Sequence, residues 1–349
     1  MDYINYVKQA PFAGFAGFGG GATGLAFKSS APFEKPDGYY WGGDRGLAFG
    51  GYDAPSTVMN EIQYFGISTL TSGSDFGDMT GTARYAGAGA SNGTRGLYAG
   101  GYEDPSYSNV IDYVTIANTG NATDFGDCLT TYTWGMQGVA GNPTGGASNA
   151  NRGLFAGGYN PINDVIQYVD ITSTGNSTDF GDMIYKRRQF GAVSNGSRAV
   201  WAGGYSMPQP AFTFRANMDY TTIATTGNAT DFGDLLTASE GQTGCSSKTR
   251  GVFSGGLIPA SPWYGALQAI TIDTTANATS IGTQNSSTRG QAAASSNGVY
   301  GTWVGGKAAT SEISSMTYIS IDTHSSGLVS NFGSLTSART FCAGASGDV

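Results

Sequence analysis

The chain has 349 residues, of which 56 are glycine and only 12% are charged, whereas an ordinary globular chain carries about 25% charged residues. This composition is poor in helix formers and rich in strand and turn formers, so we expect an all-β fold. The 25 acidic residues outnumber the 17 basic ones, for a net charge of −8, and no run of Lys or Arg concentrates positive charge. A nucleic acid is therefore not an expected partner.

Residues 1–44 precede the first repeat and have too little regular pattern for a domain. The opening MDYINYVKQ is acidic and aromatic, unlike a secretory signal. The uncharged stretch 10–27 contains six glycines, so we expect no membrane insertion. Its phenylalanines are unfavourable in water, and they predict an arm that anchors the chain in another protein or mediates self-association. They are Phe12, Phe15, Phe18 and Phe27.

A Gly-Gly motif recurs from residue 45 onwards. Its copies are RGLAFGGY, RGLYAGGY, RGLFAGGY, RAVWAGGY, RGVFSGGL and the degraded VYGTWVGGK. The arginines that open the first five copies are 50, 57, 46 and 52 residues apart. A period near 50 predicts a propeller or a repeat array, because each unit is a small sheet that cannot bury its faces alone.

One unit can be divided into four strands, at 83–91, 95–102, 109–118 and 122–127. In the third strand, apolar residues fall on both faces, as expected when other sheets stack on either side. The unit is therefore predicted to be a four-stranded blade.

Six Gly-Gly strands predict six blades. The chain ends in SARTFCAGASGDV, which matches the first strand of the second unit, TARYAGAGASNGT, and no second strand follows it. Conversely, RGLAFGGY at residue 45 is a second strand without its own first strand. We therefore expect a six-bladed propeller over residues 45–349, closed by pairing of the C-terminal strand with the N-terminal blade.

The sequence TGNATDFGD at 119–127 contains Asp-Phe-Gly, the metal-binding triplet of protein kinases, but it recurs near 71, 174 and 226. A kinase uses this triplet once, so we expect a structural role. Phe125 is predicted to fill the space between blades, and Gly126 to allow close backbone approach. Turn amides are expected to bond the aspartates Asp75, Asp124, Asp179 and Asp231. Calcium binding by Asp124 and Asp127 is less favoured, because the spacing lacks alternating oxygen ligands.

The segments after each Gly-Gly vary in length and sequence, and they are expected on the same face as the loops that enter each first strand. Variation on one face of a constant scaffold indicates binding. The candidate binding residues are Tyr107, Trp134, Phe212, Phe214, Trp263 and Tyr264. They either pack against adjacent loops or a partner subunit, or recognise a host glycan or protein. Trp134 and Met136 are expected on an extra loop around 130–146, as a subunit contact rather than a lid.

Neither a metal nor a cofactor is expected. His324 is the single histidine, so no histidine cluster can form. Cys128, Cys245 and Cys342 are widely spaced and form no CxxC pair, so we expect buried free thiols.

The order of an arginine, a strand, a Gly-Gly strand and an aromatic strand resembles a kelch-type β-propeller across residues 45–349. The arginines that match the opening of a kelch repeat are Arg84, Arg188, Arg289 and Arg339, whereas Asp-Phe-Gly-Asp replaces the kelch tryptophan. The TGN-TDFGD pattern followed by SNGTRGL resembles repeat proteins encoded by tailed bacteriophages, notably cyanophages. This resemblance implies a multi-copy virion component, such as a tail-fibre, adhesin or decoration protein, bound to other virion proteins.

An enzyme is the alternative. Ser177, Asp179 and Gly181 resemble the Asp-box of sialidases, which are also six-bladed, and the four kelch-like arginines would grip a substrate carboxylate if they converged near the axis. The same arginines are expected instead to bond main-chain carbonyls from blade to blade. No nucleophile pair can be assigned, so we expect a non-enzymatic protein, with a carbohydrate-binding or sialidase-like propeller as the alternative.

Overall fold

The computed structural model describes residues 43–53, 57–131, 133–141, 151–206, 213–259, 264–284, 290–308 and 311–348. All regular secondary structure within these ranges is β-strand, so the expected all-β fold is confirmed. No helix in the described ranges is long and apolar enough to cross a membrane. Residues 1–42 of the expected arm at 1–44, including its four phenylalanines, lie outside the described residues.

The described strands form six four-stranded antiparallel sheets, a β-propeller-like architecture. We number the sheets 1 to 6 and letter their strands A to D. Sheet 1 has Ala343–Gly347, Arg45–Phe49, Glu61–Gly66 and Ser74–Asp78. Sheet 2 has Ala88–Ser91, Arg95–Ala99, Val110–Thr115 and Thr123–Asp127. Sheet 3 has Gln137–Gly141, Arg152–Ala156, Val165–Asp170 and Thr178–Asp182.

The other three sheets repeat this plan. Sheet 4 has Gly191–Ser194, Arg198–Ala202, Asn217–Thr222 and Thr230–Asp234. Sheet 5 has Thr243–Ser246, Arg250–Ser254, Ala266–Thr271 and Thr279–Thr283. Sheet 6 has Ala293–Ser296, Tyr300–Val304, Ser315–Ser320 and Ser330–Ser334. Short strands lie at Tyr52–Asp53, Thr57–Val58, Tyr102–Glu103, Ser106–Tyr107, Arg187–Arg188, Tyr205–Ser206, Thr213–Phe214, Lys307–Ala308 and Ser311–Glu312.

Strand A of sheet 1 comes from the C-terminal end of the described chain. It pairs antiparallel with strand B, with Arg45 opposite Gly347 and Phe49 opposite Ala343. The predicted pairing of the last strand with the first sheet is therefore present in the structure.

The hydrophobic core lies between the sheets. Within the described ranges, six clusters of buried apolar side chains each draw on two neighbouring sheets, and one of them joins Ala48 and Phe65 of sheet 1 to Val304 and Met316 of sheet 6. Strand B is buried on both faces, since Leu97 belongs to the cluster towards sheet 3 and Tyr98 to the cluster towards sheet 1. The three cysteines are free and buried, as expected.

The A strands contact one another from sheet to sheet. Their small residues are needed for this approach: a Cβ atom on Gly89 would lie 2.2 Å from the carbonyl oxygen of Gly344. Where the chain enters strand A, a backbone N–H of each sheet donates to a carbonyl of the preceding one at 2.6 to 2.8 Å. The bonds run from Ala86 to Phe341, from Phe341 to Gln291, from Gln291 to Gly241, from Gly241 to Gln189, from Gln189 to Gly135, and from Gly135 back to Ala86.

The arginine that opens strand B joins neighbouring sheets. Arg45 donates to the carbonyl of Ile116 at 2.8 Å, and its guanidinium carbon lies 4.7 Å from the ring centre of Tyr64 on strand C. Arg95, Arg152 and Arg198 each make the same two contacts. Each donates to a carbonyl of the next sheet and lies over the tyrosine of strand C in its own sheet. The repeated arginine is therefore a link between sheets.

The TDFGD segment forms strand D, and the TGN turn of the next sheet covers its free edge. The N–H of Gly175 donates to the carbonyl of Phe125 at 2.7 Å, and the side chain of Asn176 accepts from the N–H of Asp127 at 2.9 Å. Phe125 is buried between sheets 2 and 3, and a Cβ on Gly126 would lie 2.5 Å from the carbonyl carbon of Gly175. The predictions for Phe125 and Gly126 are therefore confirmed.

The four aspartates of this segment lie on strand D rather than in a turn. Asp75 accepts a hydrogen bond from the N–H of Gly77 within its own strand, and Asp124, Asp179 and Asp231 are exposed at the equivalent position. The side chain that bonds across this turn is that of the TGN asparagine, which accepts a hydrogen bond from the N–H of the last aspartate of strand D in the preceding sheet.

Candidate functional site

Six residue pairs lie where the chain leaves Gly-Gly and where it enters strand A. In each pair, the residue after Gly-Gly forms a β-bridge with a residue that precedes strand A. The pairs are Tyr52 with Thr340, Tyr85 with Tyr102, Trp134 with Tyr159, Arg188 with Tyr205, Glu240 with Leu257, and Gly290 with Lys307. We call the surface formed by these pairs the loop face.

Aromatic side chains run continuously across the loop face from sheet 1 to sheet 4. The ring centres of Tyr107 and Tyr102 are 5.1 Å apart, those of Tyr102 and Tyr85 5.5 Å, and those of Tyr85 and Phe341 5.7 Å. Phe341 lies 5.9 Å from Trp134. All these side chains are half-buried, so each presents part of its ring to solvent.

Arg188 continues this row into sheet 4. Its guanidinium carbon lies 4.5 Å from the ring centre of Trp134, 4.7 Å from that of Tyr159 and 5.2 Å from that of Tyr205. Tyr205 in turn lies 5.3 Å from Phe214. The aromatic arc, as we use the term, comprises Arg188 and the rings of Tyr52, Tyr85, Tyr102, Tyr107, Trp134, Tyr159, Tyr205, Phe214 and Phe341.

The loop face is asymmetric, because the pairs of sheets 5 and 6 contain no aromatic residue. Glu240 stands at the position that Arg188 has in sheet 4, and only 9% of its surface is exposed. Burial raises the pKa of Glu240, and the charge of Arg188 partly opposes this change. Within the described part of the chain, neither Oε2 of Glu240 nor Nε of Arg188 has a hydrogen-bond partner.

Three of the predicted binding residues, Tyr107, Trp134 and Phe214, belong to the arc. Tyr264 does not, and its hydroxyl is 3.3 Å from that of Thr237. Phe212 and Trp263 lie outside the described residues. The expected extra loop does not carry Trp134 or Met136: Trp134 occupies a regular bridging position, and Met136 is buried between sheets 2 and 3.

Most residues of the aromatic arc were not predicted from the sequence. Four of its tyrosines follow a Gly-Gly directly, at residues 52, 102, 159 and 205, so the repeated GGY was a usable signal. No repeated motif marks Tyr85, Arg188 or Phe341, because the residue that precedes strand A differs from sheet to sheet.

Two of the four kelch-like arginines, Arg84 and Arg339, are buried within their own sheets. Arg84 is buried in an ion pair with Asp112 and donates to the carbonyl of Val110 at 2.9 Å in its own sheet. Arg339 pairs with Glu61. Arg289 lies outside the described residues.

In sheet 4 the equivalent residue is Arg187, buried 2.7 Å from Asp219, so the assignment of Arg188 was wrong by one position. The alternative in which these arginines converge on a substrate carboxylate therefore has no support among the described ones. The carbonyls that Arg84 and Arg339 bond belong to their own sheet, so the expected bonds from blade to blade are not the ones these two arginines make.

The A strands of all six sheets line two small cavities, of about 70 and 100 Å³. Their lining is glycine, alanine and uncharged polar side chains, with no charged residue among those described.

Within the described ranges, no group of three or more His, Cys, Asp or Glu side chains is placed to hold a metal ion. No protein-family model matches the sequence, and no curated protein matches it. The aromatic arc is the feature of the described residues that is best suited to contact another molecule.

Proposed function

We propose that the six sheets are the blades of one closed, six-bladed, kelch-like β-propeller. The cycle of backbone hydrogen bonds supports this proposal, because it passes through all six sheets and returns to Ala86. The apolar cluster shared by sheets 6 and 1, and the pairing of the C-terminal strand with Arg45–Phe49, support it as well.

We further propose that the protein is a non-enzymatic binding protein that presents its loop face to a host surface or to another particle component. The aromatic arc carries this proposal. Its half-buried rings stand beside connections of variable sequence, and aromatic side chains supply large contact area at a low entropic cost. The two cavities along the A strands are lined by no charged side chain among the described residues, which favours binding over cleavage by a carboxylate pair.

We propose that the protein acts in the virion of a tailed bacteriophage, as a tail-fibre, adhesin or decoration component. The support is the resemblance of the TGN-TDFGD and SNGTRGL segments to repeat proteins of such phages. In this proposal, several copies attach through residues 1–44 to other virion proteins and turn the loop face outwards.

Cryo-electron microscopy of purified particles from the phage that encodes the chain tests this proposal. We expect propeller-shaped density on the particle surface, with residues 1–44 in contact with a capsid, neck or tail protein. The proposal fails if mass spectrometry finds the chain only in the lysate and not in particles. A loop face buried against the particle would contradict the outward orientation.

A further inference from the structure

Sheet 5 has a surface pocket at the position where four other sheets have a tyrosine ring. In sheets 1 to 4 the arginine that opens strand B lies over a tyrosine of strand C, with 4.1 to 4.8 Å between the guanidinium carbon and the ring centre. Ala269 stands at this position in sheet 5, because it lies opposite Val252 as Tyr220 lies opposite Val200. The pocket there has a volume of about 340 Å³, and we call it the Arg250 pocket.

Arg250 is held in the same way as its counterparts. Its Nη1 donates to the carbonyl of Ile321 in the next sheet at 2.9 Å. Arg198 makes the equivalent bond to Ile272 at 3.0 Å, and its guanidinium carbon lies 4.1 Å from the ring centre of Tyr220. A guanidinium fixed by the same bond turns the same face to the same space, which in sheet 5 is the pocket that Arg250 lines. An aromatic ring is attracted to such a face.

The rest of the lining favours a neutral ring that carries a polar group. Ala269, Ile270 and Ala276 give the pocket apolar walls, and three threonines and Asn277 give it hydroxyl and amide groups. Among the described residues no acidic side chain lines the pocket, so a cationic ligand would be repelled by Arg250. A phenol fits both parts of this lining, because its ring is apolar and its hydroxyl donates and accepts hydrogen bonds.

The pocket is open to a large partner. Its threonines, Ala276 and Asn277 are exposed and form the rim, whereas Ala269 is buried and forms the floor. Strand B of sheet 5 runs from Arg250 to Ser254, which Gly-Gly follows, so the pocket lies at the end of the sheet away from the loop face. Whatever the loop face binds leaves this end of the sheet accessible.

We propose that the Arg250 pocket binds a tyrosine side chain of a partner polypeptide. The ring of that side chain takes the place that the chain's own tyrosine has in sheets 1 to 4, stacked on Arg250, and its hydroxyl bonds the polar groups of the rim. The inference concerns a second binding site and goes beyond the proposed function of the loop face.

Methyl NMR of the full chain, labelled at its alanine methyl groups and titrated with p-cresol, tests the pocket. This probe is the tyrosine side chain without its backbone. We expect saturable ring-current shifts of the Ala269 and Ala276 methyl signals. Ala269→Tyr supplies the ring from within the chain, so the affinity reported by Ala276 should fall at least tenfold, while the thermal midpoint does not fall. Tyr220→Ala opens the matched position in sheet 4, and the methyl group that it introduces should respond to p-cresol as Ala269 does.

Two further ligands separate the ring from its source. Methylcyclohexanol has the size and the hydroxyl group of p-cresol but no π-electrons, so it should bind several-fold more weakly. N-acetyltyrosine methylamide carries the ring on a peptide backbone, and it should bind at least as tightly as p-cresol.

The inference is wrong if p-cresol leaves the Ala269 signal unchanged, if Ala276 responds equally in Ala269→Tyr, or if methylcyclohexanol binds as well as p-cresol. A pocket that takes p-cresol but excludes N-acetyltyrosine methylamide would also overturn it, because the ligand would then be a free aromatic molecule. None of these results bears on the loop face, so the proposed function stands or fails separately.

Discussion

Arg250 opens strand B of sheet 5 and bonds the carbonyl of Ile321 at 2.9 Å, as its counterparts bond their neighbouring sheets. It lacks their aromatic partner, however, because Ala269 stands where sheets 1 to 4 have a tyrosine. A surface pocket of about 340 Å³ lies there, lined by Arg250, Ala269 and threonine and asparagine side chains. A single replacement in the repeat has thus removed one ring from an otherwise regular series.

Ala269→Tyr should therefore stabilise the protein by roughly 0.5–1 kcal/mol, since the new ring can stack on Arg250 as Tyr220 stacks on Arg198. Urea unfolding monitored by circular dichroism measures the difference. The reverse change in sheet 4, Tyr220→Ala, is the control and should destabilise by about 2 kcal/mol. A neutral or negative effect of Ala269→Tyr would show that the pocket cannot take a ring.

Glu240 makes a pH-dependent contribution. Its folded-state pKa is raised, first by burial, so its unfavourable effect is absent below its unfolded-state pKa and develops as the pH rises through the folded-state value. Glu240→Gln should therefore be more stable than the natural chain by about 1 kcal/mol at pH 7 and equally stable near pH 4. Urea titrations at both pH values test this expectation. Glu103→Gln changes the net charge equally and serves as the control; the same gain at both pH values would contradict the account.

At the scale of the element, the TGN turn and strand D of sheet 2 each contain a glycine, and the two glycines have different surroundings. Both Gly126 and Gly120 have positive φ, at 146° and 155°. A Cβ on Gly126 would meet the carbonyl group of Gly175, whereas a Cβ on Gly120 would meet nothing within 4 Å. The contact between neighbouring sheets therefore demands glycine at residue 126 more strictly than at residue 120.

We expect Gly120→Ala to destabilise by about 1 kcal/mol through backbone strain alone, and Gly126→Ala by about 3 kcal/mol, because the added methyl group also pushes sheets 2 and 3 apart. Thermal unfolding of the two variants side by side gives the comparison. Equal losses would mean that the separation of the sheets adjusts at little cost.

At the scale of the whole molecule, the strand Ala343–Gly347 joins the two ends of the repeat. Deletion of residues 343–349 should expose the inner edge of Arg45–Phe49 and half of the apolar cluster shared with sheet 6. We expect loss of the cooperative unfolding transition, or dimers and larger assemblies that pair through the free edge. Size-exclusion chromatography with light scattering detects the second outcome.

A circular permutant that places residues 335–348 before Gly43 is the matched control, and it should recover monomer size and most of the stability. If the truncated chain unfolds as the full chain does, the C-terminal strand does not join the ends in the way we propose.

Much of the architecture was predictable from the sequence, and the reason is the repeat. The Gly-Gly strands, the TDFGD strands and the match between the two ends each appear several times, so one unit explains the others. What was not predictable depends on contacts between units. Arg187 and Arg188 can be told apart only from the pairing of strands A and B in sheet 4. Because Gly191 lies opposite Ala202, Arg187 takes the position that Arg84 has in sheet 2.

The aromatic arc joins residues that are far apart in the chain, such as Tyr85 and Phe341. The acceptor role of Asn176 likewise concerns the neighbouring sheet. No local pattern in the sequence encodes either contact.

The cycle of six backbone hydrogen bonds has an electrostatic consequence. All six bonds run in the same sense, since each N–H donates to the carbonyl of the preceding sheet. Peptide dipoles that follow one another head to tail around a closed path sum to almost zero, unlike those of a helix, which add along its axis. The cycle of hydrogen bonds therefore adds almost no net dipole at the middle of the loop face, where side chains such as Arg188, Glu240 and Lys307 carry the charge.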